Sequence, residues 1–133
     1  MNTINNVWVI DDNSVSNLIC KALIKKEKFA ENVSFETSAE RAIDDLVQLA
    51  RERPEALPEV IFLDLNLPLM NGWEFMREFL QLPQDIQQKV KVYILSSSLS
   101  SSDREKAEEN EALSGFYTKP LSSHILQEIS FAS

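Results

Sequence analysis

Four apolar runs in this chain each end in residues that can do chemistry. Val7-Trp8-Val9-Ile10 ends in Asp11-Asp12, and Val60-Ile61-Phe62-Leu63 ends in Asp64. Val90 to Leu95 ends in Ser96-Ser97, and Phe116-Tyr117 is followed closely by Lys119. Three carboxylates gathered at one place repel, so either one is protonated or a cation sits among them. An all-oxygen, carboxylate-rich pocket suits a hard divalent ion, Mg²⁺ with several retained waters above others. Each cluster alone is a weak signal. An Asp-Asp pair after a strand is usually a helix cap, and a lone Asp before a proline-containing loop is usually turn chemistry. A Lys-Pro pair is common in exposed loops. Four such clusters, each at its own strand end, make those readings poor ones.

The elements between them must bring the clusters together. After the first strand, Val15, Leu18, Ile19, Ala22 and Leu23 recur at helical spacing, and Lys25, Lys26 and Lys28 close that helix at its negative end. Val33 to Glu36 reads as a second strand. Thr37-Ser38-Ala39-Glu40 reads as a capping box for a helix with Ala39, Ala42, Ile43, Leu46 and Ala50 inward. Pro54 and Pro58 bound a connector to the third strand, Val60 to Leu63. A loop, Leu65 to Asn71, then leads through Gly72 into a helix with Phe75, Met76, Phe79 and Leu80 inward. The fourth strand is Val90 to Leu95. Ser102-Asp103-Arg104-Glu105 reads as the capping box of a fourth helix with a thin apolar face, Ala107 and then Ala112. Phe116-Tyr117 is a short fifth strand, and Ser122 caps a last helix with Ile125, Leu126 and Ile129 inward. Five strands alternating with five helices predict a doubly wound α/β sandwich on a parallel sheet. Ligands bind such sheets beyond the carboxyl ends of the strands, where all four clusters fall.

Composition narrows the function. With 133 residues, 44% hydrophobic and 26% charged, the chain is expected to fold as one ordinary globular domain. A formal charge of −8 argues against nucleic-acid or anionic-membrane binding. No apolar run is long enough to span a bilayer, and the polar, uncharged Met1 to Asn6 is no signal peptide. The single Cys20 cannot make an internal disulfide, which predicts a reducing compartment. There are only two glycines, Gly72 and Gly115, so phosphate-cradling loops of the Walker or dinucleotide type are excluded.

Together, Val9-Ile10-Asp11-Asp12, Leu63-Asp64-Leu65-Asn66-Leu67-Pro68-Leu69-Met70-Asn71-Gly72, Ile94-Leu95-Ser96-Ser97 and Gly115-Phe116-Tyr117-Thr118-Lys119-Pro120 resemble the receiver domains of two-component response regulators, chemotaxis-regulator type. The resemblance runs from Val7 to about Ile129. It implies a flavodoxin-like (βα)5 sandwich with strand order 2-1-3-4-5, and a single receiver domain over residues 1–133 with no output domain. It implies that Asp64 accepts a phosphoryl group from a histidine kinase, a histidine phosphotransfer protein or a small phosphodonor. Asp12, Asp64 and the backbone carbonyl of Asn66 would ligate Mg²⁺, and Asp11 would orient metal-bound water. Lys119 would neutralise phosphoryl charge, and Ser96, or its neighbour Ser97, would donate a hydroxyl. Phe116 occupies the switch aromatic position, with a core strand residue as the alternative reading, and Lys119-Pro120 is a candidate cis peptide. The family implies a cytoplasmic signalling protein, monomeric or dimerising on phosphorylation. Its surface of fourth helix, fifth strand and last helix would change for a downstream partner. No catalysis is expected beyond self-phosphorylation and self-dephosphorylation.

The chain departs from that pattern where Asn110-Glu111-Ala112-Leu113-Ser114 replaces the usual Gly-Ala pair before the fifth strand. Three rival functions are distinguishable. A pseudo-receiver would ignore phosphate, yet no expected site residue is missing. A haloacid-dehalogenase-type phosphatase needs an acid two residues after its nucleophile, where this chain has Asn66. A flavin-binding electron carrier needs a hydroxyl- and glycine-rich loop after the first strand, where this chain has Asp11-Asp12-Asn13. Trp8 and Trp73 are expected to pack, and His124 to be a surface residue.

Overall fold

Strand β1 (Ile4–Ile10) is flanked by β2 (Ala30–Glu36) on one side and β3 (Val60–Leu63) on the other, and the sheet continues through β4 (Lys91–Ser96) to β5 (Leu113–Thr118). Every pairing is parallel, giving the order β2-β1-β3-β4-β5. The helices are α1 (Ser14–Lys26), α2 (Ala39–Glu52), α3 (Gly72–Phe79), α4 (Gln84–Lys89), α5 (Ser101–Glu109) and α6 (Ser123–Ala132). A 3-10 turn, Pro54–Ala56, follows α2. This computed structural model describes residues 4–132. Met1–Thr3 and Ser133, at the ends of the expected domain, lie outside the described residues.

The central strands read as continuous apolar runs because helices cover both faces of the sheet. Alternate residues go to opposite layers. Trp8, Ile10, Ile61, Leu63 and Val92 pack with Ala42, Leu46, Phe75, Met76 and Phe79 of α2 and α3. Val7, Val9, Val60, Phe62, Tyr93 and Leu95 pack with Cys20, Ile24, Leu126 and Ile129 of α1 and α6. Each such large side chain contributes about 1.5–3 kcal/mol by leaving water. Truncating fully buried Phe62 would cost about 3–5 kcal/mol.

Several local expectations are corrected. The apolar residues that mark α1 mostly face out: Val15, Leu18 and Ile19 are 64%, 67% and 48% exposed, while Leu23 packs against the core and Cys20 and Ile24 are buried. Both sets recur at helical spacing, so periodicity alone could not choose between them. Ser38, not Thr37, caps α2, its side chain accepting from the Arg41 N–H. Ser100, not Ser102, caps α5, in a reciprocal box with Asp103. Leu80 lies beyond the last turn of α3 and is exposed. Helix α4 was not anticipated. It is only six residues long, anchored by buried Ile86, too short to show a period. The helix expected fourth is therefore α5, and the last is α6. Strands β1, β2 and β5 each extend further toward the N-terminus than their apolar segments suggested.

Candidate functional site

Strand order reverses between β1 and β3, whose carboxyl ends open the crevice where ligands of such sheets bind. Asp11 follows β1 and Asp64 follows β3. The sheet ladder continues into both residues: the Asp11 N–H donates to Glu36 O at 2.9 Å and the Asp64 N–H to Ile10 O at 3.0 Å. Both side chains are buried, while Asp12 is exposed. One carboxylate oxygen from each of Asp11, Asp12 and Asp64 lies within 4.8 Å of the others. The three carboxylates expected together do converge. All three donors are hard carboxyl oxygens, and the set fits a hard divalent cation.

Lys119 arrives from beyond β5, its own N–H bound to Ser96 O at 2.8 Å. Its ammonium donates to Asp11 Oδ2 at 2.5 Å and to Asp64 Oδ2 at 3.4 Å. Burial pulls the lysine pKa down, but the hydrogen bond to Asp11 and the charges of Asp64 and Asp11 outweigh it. The net shift is above the ordinary lysine value, so the group is held as a cation. The Lys119-Pro120 peptide is cis.

Ser96 ends β4 and is fully buried, its hydroxyl donating to Ser98 O at 3.4 Å, whereas Ser97 is exposed. Phe116 pairs with Ile94 in the sheet and is half-buried, packed against the cluster of Leu65, Ile94 and Ala107. Asn66 is exposed, and its N–H donates to Asp64 Oδ1 at 3.2 Å.

The loop from Asp64 to Gly72 folds back on itself. Gly72 N–H donates to Leu65 O at 3.1 Å, and a Cβ on Gly72 would meet Asp64 O and the Leu65 Cα at 2.9 Å each. Glycine is needed there for closeness rather than for an unusual φ. Leu65 and Leu67 anchor the loop in the core, while Leu69 takes a φ of 66° and stands 91% exposed.

Two contributors escaped the sequence reading. Asn13, the N-cap of α1, donates its N–H to Asp11 Oδ1 at 2.9 Å. Asn17 donates its Nδ2 to Asp11 O at 3.0 Å. Asn13 carried the signal of an N-cap residue after Asp-Asp; Asn17 carried none. Trp8 is buried in the core, and Trp73 is half-buried with its indole N–H on Asp103. His124 is exposed, 3.7 Å from Glu128 and outside the site. Burial, helped by the Asp11 charge and opposed by Lys119, pushes the Cys20 thiol up to about 11, so it is no reactive nucleophile. Among the described residues, no helix is long and apolar enough to cross a membrane.

Comparison with known proteins agrees with this geometry. The family model for the response regulator receiver domain matches residues 7–130. A two-component response regulator from Cytophaga hutchinsonii superposes with a TM-score of 0.90 at 31% identity, covering 98% of this chain and 97% of that one. A response regulator receiver protein from Dyadobacter fermentans gives 0.79 at 30% identity, covering 93% of each. A protein-glutamate methylesterase/protein-glutamine glutaminase of Cereibacter sphaeroides is 27% identical over 95 residues, which are 71% of this chain and 22% of that protein.

Proposed function

This chain belongs to the response regulator receiver family, and from that premise we propose that it is a Mg²⁺-dependent phosphoacceptor modified at Asp64. The observation that carries the reading is the convergence of Asp11, Asp12 and Asp64 around the Lys119 ammonium. A carboxylate attacks a phosphate dianion poorly unless the equatorial oxygens are neutralised. Phosphoryl transfer therefore depends on positioning and charge more than on covalent assistance. Mg²⁺ held by Asp12, Asp64 and the Asn66 carbonyl, with Asp11 orienting its water, would supply that neutralisation on one side. Lys119 supplies it on the other. A carboxylate oxygen of Asp64 bonds to phosphorus as the bond to the donor's nitrogen or oxygen breaks, leaving an aspartyl phosphate.

Ser96 is the hydroxyl we assign to the new phosphoryl oxygens. It is buried at the end of β4, and its present bond to Ser98 O is long enough to yield. A donor bond to a charged oxygen contributes about 1.5–3 kcal/mol, comparable with a two-state gap of a few kcal/mol. Occupancy can therefore shift the population of the β4–α5 loop. We assign Phe116 to fill the space that a movement of that loop would open, and α5, β5 and α6 to form the surface presented to a downstream protein.

Members of this family work with histidine kinases or histidine phosphotransfer proteins. The exposed Val15, Leu18 and Ile19 of α1 form an apolar strip on the helix that begins beside Asp12, and we read it as the donor's docking face. On the family's grounds we place the protein in the cytoplasm. Intact-mass measurement after incubation with acetyl phosphate and Mg²⁺ should show one added phosphoryl group, absent in Asp64→Asn. No addition to the unaltered protein would leave it a phosphate-independent interaction module.

A further inference from the structure

Asn17 sits in the first turns of α1, where asparagine is a poor helix former because its side chain competes for nearby backbone groups. Here that side chain leaves its own helix and donates from Nδ2 to the carbonyl of Asp11, six residues back. Every polar group of Asp11 is then held. Its N–H is on Glu36 O, its Oδ1 takes the Asn13 N–H, its Oδ2 takes the Lys119 ammonium, and its carbonyl takes Asn17.

The carbonyl bond has a particular consequence. The Asp11 carbonyl and the Asp12 N–H belong to one rigid peptide plane. Pinning its oxygen fixes the rotation between the two residues, and therefore the angle at which the exposed Asp12 carboxylate leaves the turn. Asp12 has no comparable anchor of its own among the hydrogen bonds described. The arrangement also carries a cost. With Nδ2 committed to Asp11, Asn17 Oδ1 is buried, and among the described residues nothing donates to it. A buried acceptor without a partner destabilises the fold, and an apolar side chain of similar size would avoid this.

We propose that Asn17 is a positioning residue for the divalent cation, holding the Asp11–Asp12 peptide plane so that both carboxylates face Asp64. The inference rests on reading the acidic pocket as a Mg²⁺ site. It differs from a structural role in predicting that affinity falls while stability holds. Asn17→Leu removes the bond to Asp11 together with the orphaned acceptor, and Asn17→Ala does so with a good helix former.

Mg²⁺ is titrated calorimetrically into the metal-free unaltered protein and both variants, and thermal midpoints are recorded without metal. Mg²⁺ affinity should fall at least about fivefold in both, about 1 kcal/mol by the usual conversion, while the metal-free midpoint stays close to the parent's, because the orphaned Asn17 Oδ1 is removed as the Asp11 carbonyl loses its donor. Affinity within about twofold of the parent in both variants overturns the proposal. So does a midpoint that drops while affinity is kept, which would make Asn17 purely structural. Failure of the unaltered protein to bind Mg²⁺ would overturn the phosphoacceptor reading first, and this inference with it.

Discussion

The indole N–H of Trp73, on α3, donates to Asp103 Oδ1, on α5, at 3.1 Å across thirty positions of sequence. Asp103 also completes the cap of α5, its Oδ2 accepting the Ser100 N–H while its own N–H donates to Ser100 Oγ. Lys106 lies 5.7 Å from the centre of the Trp73 ring. Since Ala107 is the one buried residue of α5, this polar contact carries much of what holds the helix in place.

Trp73→Phe keeps the ring and removes the donor. The Trp73 hydrogen bond is the main cause of a depressed Asp103 pKa, reinforced by Ser100 and Lys106 against slight burial. A carboxylate depressed on folding stabilises above its unfolded pKa and loses that contribution as pH falls through the folded value. The variant should therefore be about 0.5–1 kcal/mol less stable near neutral pH, since the contact is largely solvated. That deficit should shrink below the ordinary value of 3.8. Amide exchange across α5 should quicken, and unchanged exchange there would refute that role of the contact.

Gly72→Ala tests the close approach of α3 to the end of β3. By helix propensity alone alanine should stabilise by up to about 1 kcal/mol. The added Cβ would instead meet Asp64 O and Leu65 at under 3 Å, an overpacking that typically costs about 1–3 kcal/mol. Denaturant unfolding should show a net loss together with slower phosphorylation, because Asp64 itself is displaced. A more stable variant would show that the loop can move away freely.

Glu36 closes β2 beside the site. Burial, then the contact and charge of Asp45, push its pKa from 4.5 to about 7, with Arg41 pulling weakly the other way. A carboxyl raised on folding binds more protons folded than unfolded between those values, so its contribution to stability declines across that interval as pH rises. Glu36→Gln keeps the shape and does not titrate. Its thermal midpoint relative to the parent should climb from about pH 4.5 to about pH 7 and then level, and a flat difference would show that Glu36 titrates normally.

The apolar strip of α1 should matter for a protein donor and for nothing else. Leu18→Glu changes an exposed residue, so stability should move by less than about 0.5 kcal/mol. Transfer from a phosphorylated histidine phosphotransfer domain should slow at least about tenfold, while labelling by acetyl phosphate is unchanged. Equal slowing with both donors would place the effect in the acidic pocket rather than at a docking face.

The sequence by itself determined the layers and the location of the site. Val7 to Ile10 and Val60 to Leu63 are apolar without alternation because both faces of their sheet are covered, and a strand's last residue is also its neighbour in the crevice. Asp11, Asp12, Asp64 and Lys119 could therefore be placed together from order alone. Only the tertiary structure decided matters that depend on rotation or on distant partners. Helical spacing marks a stripe on α1 but not whether Val15, Leu18 and Ile19 or Cys20 and Ile24 meet the sheet; the rotation of the helix as it seats on the sheet settles that. Two hydroxyl residues one or two positions apart, Thr37 and Ser38 or Ser100 and Ser102, read equally well as caps until the backbone turns at Ser38 and Ser100. The bonds of Asn17 to Asp11 and of Trp73 to Asp103, and the proximity of Glu36 to Asp45, leave no pattern along the chain. They arise from side chains meeting across elements, and that meeting is fixed by how the helices seat on the sheet.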